Sequence, residues 1–421
     1  MIKKTLIVST ILGTSLTLSA NSASAGGASS IEQEIANLKK KIEILSEKID
    51  DRKSSVNAKN ISFASSDGSF KADFGGKIQI DTAFFNDDIG DNPDSTRIRR
   101  AELQLSGKYN DWGYKFKINT SGDSSPIIDD AYLQYKLSKT SSIQLGQFKE
   151  PIVMDYLTSS SDTLFMERAT VKDAFSPGRS VGLAYKYHTD NLLINAGVFG
   201  NNTDTASSDD EGYALTARAV YSNDFDGNLL HIGAAGSYRS PDQATKTARF
   251  RSRPETSFGN RLVDTGSISN VDETVIYGLE LAAQNGPLSF QSEYLISDTE
   301  TSTTDYNFNG YYAQISYIFT GETKSYKSSK GTFTKVKPES EFSRNGGTGA
   351  WEAALRYSGL DLNDNSISGG ELQNYTLGLN WYPNEKVRLM ANYIITDTDD
   401  DNPTTSDESP QIFSLRAAMD F

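Results

Sequence analysis

The segment 411–421 constrains the fold more than any other part of the sequence, because its apolar and polar residues alternate strictly. One face of an extended chain would carry Phe413, Leu415, Ala417, Met419 and Phe421. A period of two over about ten residues is typical of a transmembrane β-barrel strand, with one face toward lipid and the other toward a wet lumen. We expect this strand to pair with the first strand, because an open sheet edge is too costly in hydrocarbon.

The same alternation begins at Phe74 and recurs in sixteen segments, which predicts an all-β fold, a sixteen-stranded antiparallel transmembrane β-barrel. The connections support it, because short turns such as 110–113 alternate with long loops such as 149–179 and 240–273. One exception is 320–348, a long connection where a short turn is expected. A soluble β-sandwich is the alternative, but it has no reason to keep this loop asymmetry.

The N-terminal segment predicts export. Lys3 and Lys4 precede an apolar run at residues 6–18, and residues 23–25 read Ala-Ser-Ala, so we predict a signal peptide at residues 1–25. No later segment offers the roughly 20 apolar residues that a membrane-spanning helix needs. The formal net charge of −14 argues against nucleic acid as a partner.

Cysteine and histidine content limits the chemistry. The chain has no cysteine, and His188 and His231 are its two histidines. A thiolate or histidine metal site, or a histidine-based catalytic group, is therefore very difficult to assemble. We expect no enzyme, no metal and no cofactor.

A helical segment is predicted between the signal peptide and the first barrel strand. Its apolar residues are spaced alternately by four and three, at Ile31, Ile35, Leu38, Ile42, Leu45 and Ile49. This heptad pattern predicts a periplasmic coiled-coil helix at 26–56, a linker at 57–73 and the barrel at 74–421. A lone amphipathic helix is the alternative, since fewer than three heptads is marginal. The isoleucine and leucine positions favour two strands, in conflict with the trimer expected below.

The strand residues that alternate with the apolar, lipid-facing ones should face the lumen. Among these inward residues, cations outnumber anions. The inward cations are Lys77, Arg100, Lys108, Lys115, Lys117, Lys136, Lys186, Arg218, Arg356, Arg388 and Arg416. The inward carboxylates are Asp81, Glu102, Asp130, Glu280, Glu293, Glu352 and Asp420. Rings of arginine and lysine are how a pore prefers anions.

Two arginine clusters sharpen this expectation. They consist of Arg97, Arg99 and Arg100 at the outer end of the second strand, and Arg249, Arg251 and Arg253 in the loop 240–273. Arginines at every second residue of an extended loop point one way, and their planar forks fit phosphate oxygens. The alternative is that they pair with lipopolysaccharide phosphates or loop carboxylates.

Several spaced motifs resemble one known family. They are "FGGKIQID" at Phe74, "RIRRAELQLSG" at Arg97, "LGQFKEP" at Leu145, "RFRSRPE" at Arg249 and "LGLNWYPNEKVRLMANY" at Leu377. The chain resembles the phosphate-selective porins of the O/P type over residues 74–421. The resemblance implies a trimeric outer-membrane channel whose third long loop, here 149–179, folds inward as a constriction.

The resemblance also implies roles for individual residues. An arginine ladder would comprise Arg99, Arg100, Arg249, Arg251 and Arg253. Arg168 falls on a constriction arginine, Arg179 is available to line the same loop, and Asp129 falls near an acidic residue of the narrow zone. Tyr156 stands where those relatives have a lysine, which should weaken phosphate binding.

We therefore expect a diffusion channel in the outer membrane of a Gram-negative bacterium that favours anions, with phosphate or polyphosphate as the expected solute. The alternatives are a general porin and a structural tether that acts through the coiled coil. The expected partners are inorganic phosphate or other small anions, outer-membrane lipid and lipopolysaccharide, and two further copies in a homotrimer. The coiled coil offers a contact with the cell wall.

Overall fold

The computed structural model describes residues 33–43, 61–86, 92–121, 127–202, 210–226, 228–399 and 409–421. The chain divides into two compact units, Met1–Ser54 and Ser55–Phe421. The predicted signal peptide lies outside the described residues. In the described part of the chain, every helix is too short or too polar to cross a membrane.

The first unit contains one described helix, α1, at residues 33–43. Its predicted heptad residues Ile35, Leu38 and Ile42 are 48%, 54% and 65% exposed. An apolar row of this kind is what a coiled coil would cover. The remaining heptad positions lie outside the described residues, so the coiled coil stays a prediction.

The second unit is a closed barrel. In chain order its strands and helices are β1 Ile61–Ala64, β2 Phe70–Asn86, β3 Ser95–Tyr109, β4 Trp112–Asn119, β5 Ile127–Lys136, β6 Ser141–Lys149, α2 Met154–Leu157, α3 Thr170–Phe175, β7 Arg179–His188, β8 Leu192–Phe199, β9 Tyr213–Phe225, β10 Asn228–Ser240, β11 Arg251–Ser252, β12 Val263–Asp264, β13 Val271–Asn285, β14 Leu288–Thr301, β15 Asp305–Ile318, β16 Tyr326–Lys327, β17 Thr332–Phe333, β18 Ala350–Asp364, β19 Ile367–Tyr382, β20 Val387–Asp399 and β21 Gln411–Asp420. The main sheet has seventeen strands: β1 and the sixteen antiparallel strands of the barrel. The predicted number of barrel strands is confirmed.

The last strand closes the barrel as predicted. β21 pairs with β2 from Lys77 opposite Asp420 to Asn86 opposite Gln411. Phe413 and Leu415 are 41% and 42% exposed on the outer face, whereas the intervening Ser414 is buried on the inner face. The alternation in the sequence therefore reports the two faces of the wall.

A buried ion pair fastens this closing seam. Arg416 of β21 lies opposite Asp81 of β2, and its Nε and Nη2 donate to the two carboxylate oxygens at 2.7 Å each. Arg416 Nη2 also lies 2.8 Å from Oε1 of Glu167, in the long connection between β6 and β7. One guanidinium thus joins the first barrel strand, the last strand and an inward loop.

The predicted linker at 57–73 contains a short strand that the sequence pattern does not predict. β1 pairs with β2 from Ile61 opposite Phe74 to Ala64 opposite Lys71, and β2 itself begins at Phe70. The rings of Phe63 and Phe74 meet edge to face with centroids 6.1 Å apart. The apolar residues of β1 alternate with small and polar ones, which is enough for a short strand beside an existing edge.

Two β-bulges change which side chains face the lumen. In β3, Gln79 lies opposite Arg100 and Ile80 lies opposite Ile98, so Arg99 is the extra residue. A bulge inserts one residue and re-aims the side chains beside it. Arg99 and Arg100 therefore both face inward, although strict alternation would send one of them to the lipid.

The second bulge does the same for two neighbouring aspartates. Lys117 of β4 lies opposite Asp130 of β5, and Ile118 lies opposite Ile128, so Asp129 is the extra residue. Both aspartates are buried on the inner side. An adjacent acidic pair thus faces the lumen beside the adjacent arginine pair.

Three connections fold into the lumen. We name them the inner loop, 150–178, the arginine loop, 241–270, and the basal segment, 319–349. The barrel has one end with long loops, which we call the loop side, and one end with short turns, which we call the turn side. The inner loop and the arginine loop enter the lumen from the loop side, and the basal segment enters from the turn side. The inward folding implied for the third long loop is confirmed, and the unexpected long connection near 320–348 is explained.

The lumen is not uniformly wet, which corrects the expectation that the inner parity faces water. Phe175 of the inner loop, Phe250 of the arginine loop and Phe308 of β15 form a buried apolar core with centroid distances of 5.8 and 5.3 Å. Burying each aromatic ring favours this packing by about 1.5–3 kcal/mol. The core fills the side of the lumen next to β13–β19. Charged side chains line the inner faces of β2–β7, and we name this side of the lumen the polar passage.

Candidate ion pathway

The polar side of the lumen carries a network of paired charges around the two bulges. Lys117 lies 2.6 Å from Asp129, and Lys115 lies 2.7 Å from Asp130. Arg179, at the start of β7, lies 3.4 Å from Asp129 and 3.0 Å from Asp130. The structure therefore brings together four of the predicted site residues, but it pairs the three cations with carboxylates.

Glu102 is the other carboxylate of this network. It is 5% exposed and lies 3.2 Å from Lys117, 3.5 Å from Arg100 and 3.7 Å from Lys77. The alternation in the sequence predicts an inward Glu102 but no role for it. Its position between three cations could be found only from the register of β2, β3 and β4.

Arg99 holds the inner loop against the wall. Its Nε and Nη2 donate to Glu167 Oε1 and Oε2 at 2.7 and 3.0 Å. Burial alone would raise the pKa of Glu167, but Arg99 and Arg416 lower that pKa well below its usual range. Glu167 therefore stays ionised and fixes the middle of the inner loop between two arginines.

Tyr156 gathers cations on its ring. Lys149 Nζ lies 4.5 Å, Lys172 Nζ 5.5 Å and the Arg168 guanidinium 5.6 Å from the ring centroid. Arg168 also donates to the carbonyl oxygens of Asp155 and Thr158 at 2.8 and 2.7 Å. The electron-rich faces of an aromatic ring attract cations. Tyr156 thus concentrates positive charge at the place where the resemblance implied a lysine.

The arginine row lies on one face of the arginine loop, as its spacing predicted. Arg249, Arg251 and Arg253 alternate with the buried Phe250 and Ser252. Because successive residues of an extended chain point to opposite sides, the three guanidinium groups share the face away from the apolar core.

The three arginines have different partners. Arg249 binds Asp264 through two hydrogen bonds of 2.7 and 2.6 Å, which realises the alternative of pairing with a loop carboxylate. Arg253 donates to the Gly259 carbonyl at 3.0 Å. Among the described residues, Arg251 and Arg253 have no carboxylate within ion-pair distance. Burial and the charges of Arg253 and Arg251 lower the pKa of the nearby Arg261.

Arg218 and Arg356 do not line the pore, which corrects the prediction for these two residues. Arg218 is 2% exposed, binds Glu280 at 2.7 Å and donates to the Gly331 carbonyl of the basal segment. Arg356 is 1% exposed and binds Glu255 of the arginine loop at 2.8 Å. Both side chains anchor inserted segments to the wall. The position of a residue on the inner face of a strand does not show whether its side chain lines the pore or holds an inserted segment.

Unpaired lysines occupy the turn side of the passage. Lys186 of β7 lies near Lys327 and Lys330 of the basal segment. In the part of the chain that the structure describes, none of the three has a carboxylate within ion-pair distance. The passage therefore carries uncompensated positive charge on both sides of the paired network.

Comparisons with known proteins agree with this architecture. The family model "Phosphate-selective porin O and P" matches residues 70–421. Porin O of Pseudomonas aeruginosa is 28% identical over 395 residues, which cover 84% of this chain and 89% of Porin O.

Two solved structures share the fold. The anion-selective porin from Comamonas acidovorans is similar with a TM-score of 0.58 at 12% identity, over 84% of this chain and all of that one. OmpT of Vibrio cholerae in its trimer form is similar with a TM-score of 0.55 at 11% identity, over 84% and 100%. The matched family model, the sixteen-stranded barrel and the inward loop lead to one conclusion. This chain belongs to the phosphate-selective porin O and P family, and it is a channel of the Gram-negative outer membrane.

Proposed function

We propose that this channel favours anions and lets small anions, inorganic phosphate among them, diffuse along the polar passage. The observation that carries the proposal is the distribution of uncompensated cations. Arg251 and Arg253 stand on the loop side, Arg168 in the inner loop, and Lys186 and Lys330 on the turn side. An anion that enters meets a cation without a described carboxylate partner at each stage.

Weak binding at several places suits conduction better than one tight site. Guanidinium groups bind phosphate oxygens in pairs, and ammonium groups act as point charges. The names of the relatives support the same direction, since Porin O gives its name to a phosphate-selective family and the Comamonas porin is described as anion-selective.

The test is the zero-current potential of the purified protein in a planar bilayer under a potassium chloride gradient. We expect the sign of a chloride-selective channel, and we expect the selectivity to fall as salt rises, because salt screens charges over roughly 8–10 Å at physiological strength. A potential of the opposite sign, or of zero, would refute the proposal. A selectivity that does not respond to salt would indicate sieving by size.

We further propose that the protein forms a homotrimer. The similar OmpT structure was determined as a trimer, and the exposed Ile35, Leu38 and Ile42 offer a second contact between copies. The exposed aromatic and aliphatic outer face of the strands would contact outer-membrane lipid and lipopolysaccharide. The coiled coil would reach the cell wall.

A further inference from the structure

We propose that Glu102 is a built-in counter-ion that determines which anions the narrow zone holds. This inference rests on the proposed anion pathway and specifies its substrate class. The channel would pass monovalent anions, such as chloride and small carboxylates, and would conduct phosphate without retaining it.

The Glu102 carboxylate lies between three neighbouring strands. Glu102 lies in β3 opposite Lys77 of β2 and Asn119 of β4. Its Oε2 faces the ammonium groups of Lys117 and Lys77, and its Oε1 faces the Arg100 guanidinium. Three neighbouring strands thus supply three cations around one acidic side chain.

The cations around Glu102 differ in how many carboxylates they contact. Lys117 is shared with Asp129 at 2.6 Å, but Lys77 and Arg100 have no other described carboxylate within ion-pair distance. Lys77 donates instead to Ser160 Oγ at 2.7 Å, and the buried Arg100 Nε has no hydrogen-bond acceptor among the described residues. Among the described residues, Glu102 is therefore the one carboxylate within ion-pair distance of Lys77 and Arg100.

A solute ion can reach Glu102 through a cavity. A cavity of about 280 Å³ adjoins the network and is lined by Lys77, Glu102, Lys115, Lys117, Ser159 and Ser161, among others. A water molecule takes about 30 Å³ in the liquid, so the cavity has room for a small anion with part of its hydration shell. An ion in this cavity meets the ammonium groups, Glu102 and the carboxylate of Asp420, which Lys335 already pairs at 2.7 Å.

The consequence depends on the charge of the solute. Several cationic donors around one centre are what an oxyanion needs, and here a carboxylate already occupies that centre. The repulsion between Glu102 and a passing anion doubles when the anion carries two charges, because the Coulomb energy is proportional to the product of the charges. The surrounding cations attract a dianion twice as strongly by the same law, so Glu102 offsets twice as much of that attraction for a phosphate dianion as for a monovalent anion.

The experiment compares the wild type with E102Q, which keeps the size of the side chain and removes its charge. The chloride current of single channels is recorded while inorganic phosphate is added. We expect the phosphate concentration that blocks half of the current to fall at least about tenfold, because a carboxylate and a dianion within roughly 5 Å repel by several times the thermal energy. E102A is a second neutral variant that should shift the block in the same direction.

The control is E300Q, which makes the same change at an exposed carboxylate of β14. It should leave the phosphate block at the wild-type value. An unchanged block in conducting E102Q and E102A channels would overturn the proposal. The wild type alone also tests it, because block by micromolar phosphate would show that Glu102 does not prevent the channel from retaining phosphate.

The two proposals fail in distinguishable ways. The zero-current potential of the wild type tests anion preference and does not depend on phosphate retention. An anion-selective wild type whose neutral variants show no shift would remove the role of Glu102 and leave the pathway intact. A wild type without anion preference would remove the pathway on which this inference rests.

Discussion

Charged residues in this lumen divide into anchors and pathway residues according to what they contact. Arg218 and Arg356 are buried against glutamates and hold inserted segments. Arg251 and Arg168 have no described carboxylate partner and keep their charge available. Breaking a buried pair by removing one partner costs about 3–5 kcal/mol, so substitutions of anchors should act on stability before selectivity.

Glu167 gives a pH prediction at the residue scale. Its pKa in the folded protein is lowered well below the ordinary value of 4.5, by Arg99 and Arg416 and against the effect of burial. The ionised side chain therefore contributes stability that is present above the unfolded pKa and is lost as the pH falls through the folded pKa.

We expect E167Q to melt at a lower temperature than the wild type at pH 7, and the difference to stay constant down to about pH 4.5 before it shrinks. The temperature at which the folded band disappears in gel electrophoresis measures it. E300Q, at an exposed site, should show no such dependence. A difference that grew on acidification would contradict the assigned ion pairs.

The arginine loop gives a prediction at the scale of an element. Replacing Arg251 and Arg253 together by alanine should lower the chloride-to-potassium permeability ratio by roughly 2–5-fold, because two uncompensated charges are removed. R249A is the matched control, since Asp264 already neutralises Arg249 at 2.6 Å. It should change the ratio less. Reversal potentials of the two variants measure this permeability ratio. If R249A lowered the ratio as much as the double variant, the arginine row would not be an anion path.

Elements also show what the sequence can and cannot predict. The sixteen strands, their closure and the inward loop follow from periodicity, loop lengths and family resemblance. The bulges at Arg99 and Asp129 could not be predicted, because one extra residue leaves no mark in the composition of a strand. The apolar core could not be predicted either, because Phe308 and Leu360 share the inner parity with pore-lining residues, and only the packing of Phe175 and Phe250 against them excludes water.

At the scale of the whole molecule, the exposed row on α1 predicts contact between copies. The chain has no cysteine, so a single introduced cysteine reports proximity without interference. L38C lies on the row, and K40C lies two residues away on the opposite side of the heptad.

We expect L38C to form disulfide-linked dimers of the full-length chain under oxidising conditions, and K40C to form far fewer. Non-reducing gel electrophoresis measures both. Equal cross-linking at the two positions would favour the lone amphipathic helix. Deletion of residues 31–49 should leave the single-channel conductance unchanged, because Ser55–Phe421 is a compact unit with its own contacts.

The contacts of Arg416 link the closure of the barrel to the position of the inner loop. Arg416 belongs to the last strand of the chain, yet it binds Asp81 in the first barrel strand and Glu167 in the middle of the inner loop. Glu167 can form both of its arginine ion pairs only when the last strand lies beside the first barrel strand. Any change that opens this seam therefore also loosens the loop that narrows the channel.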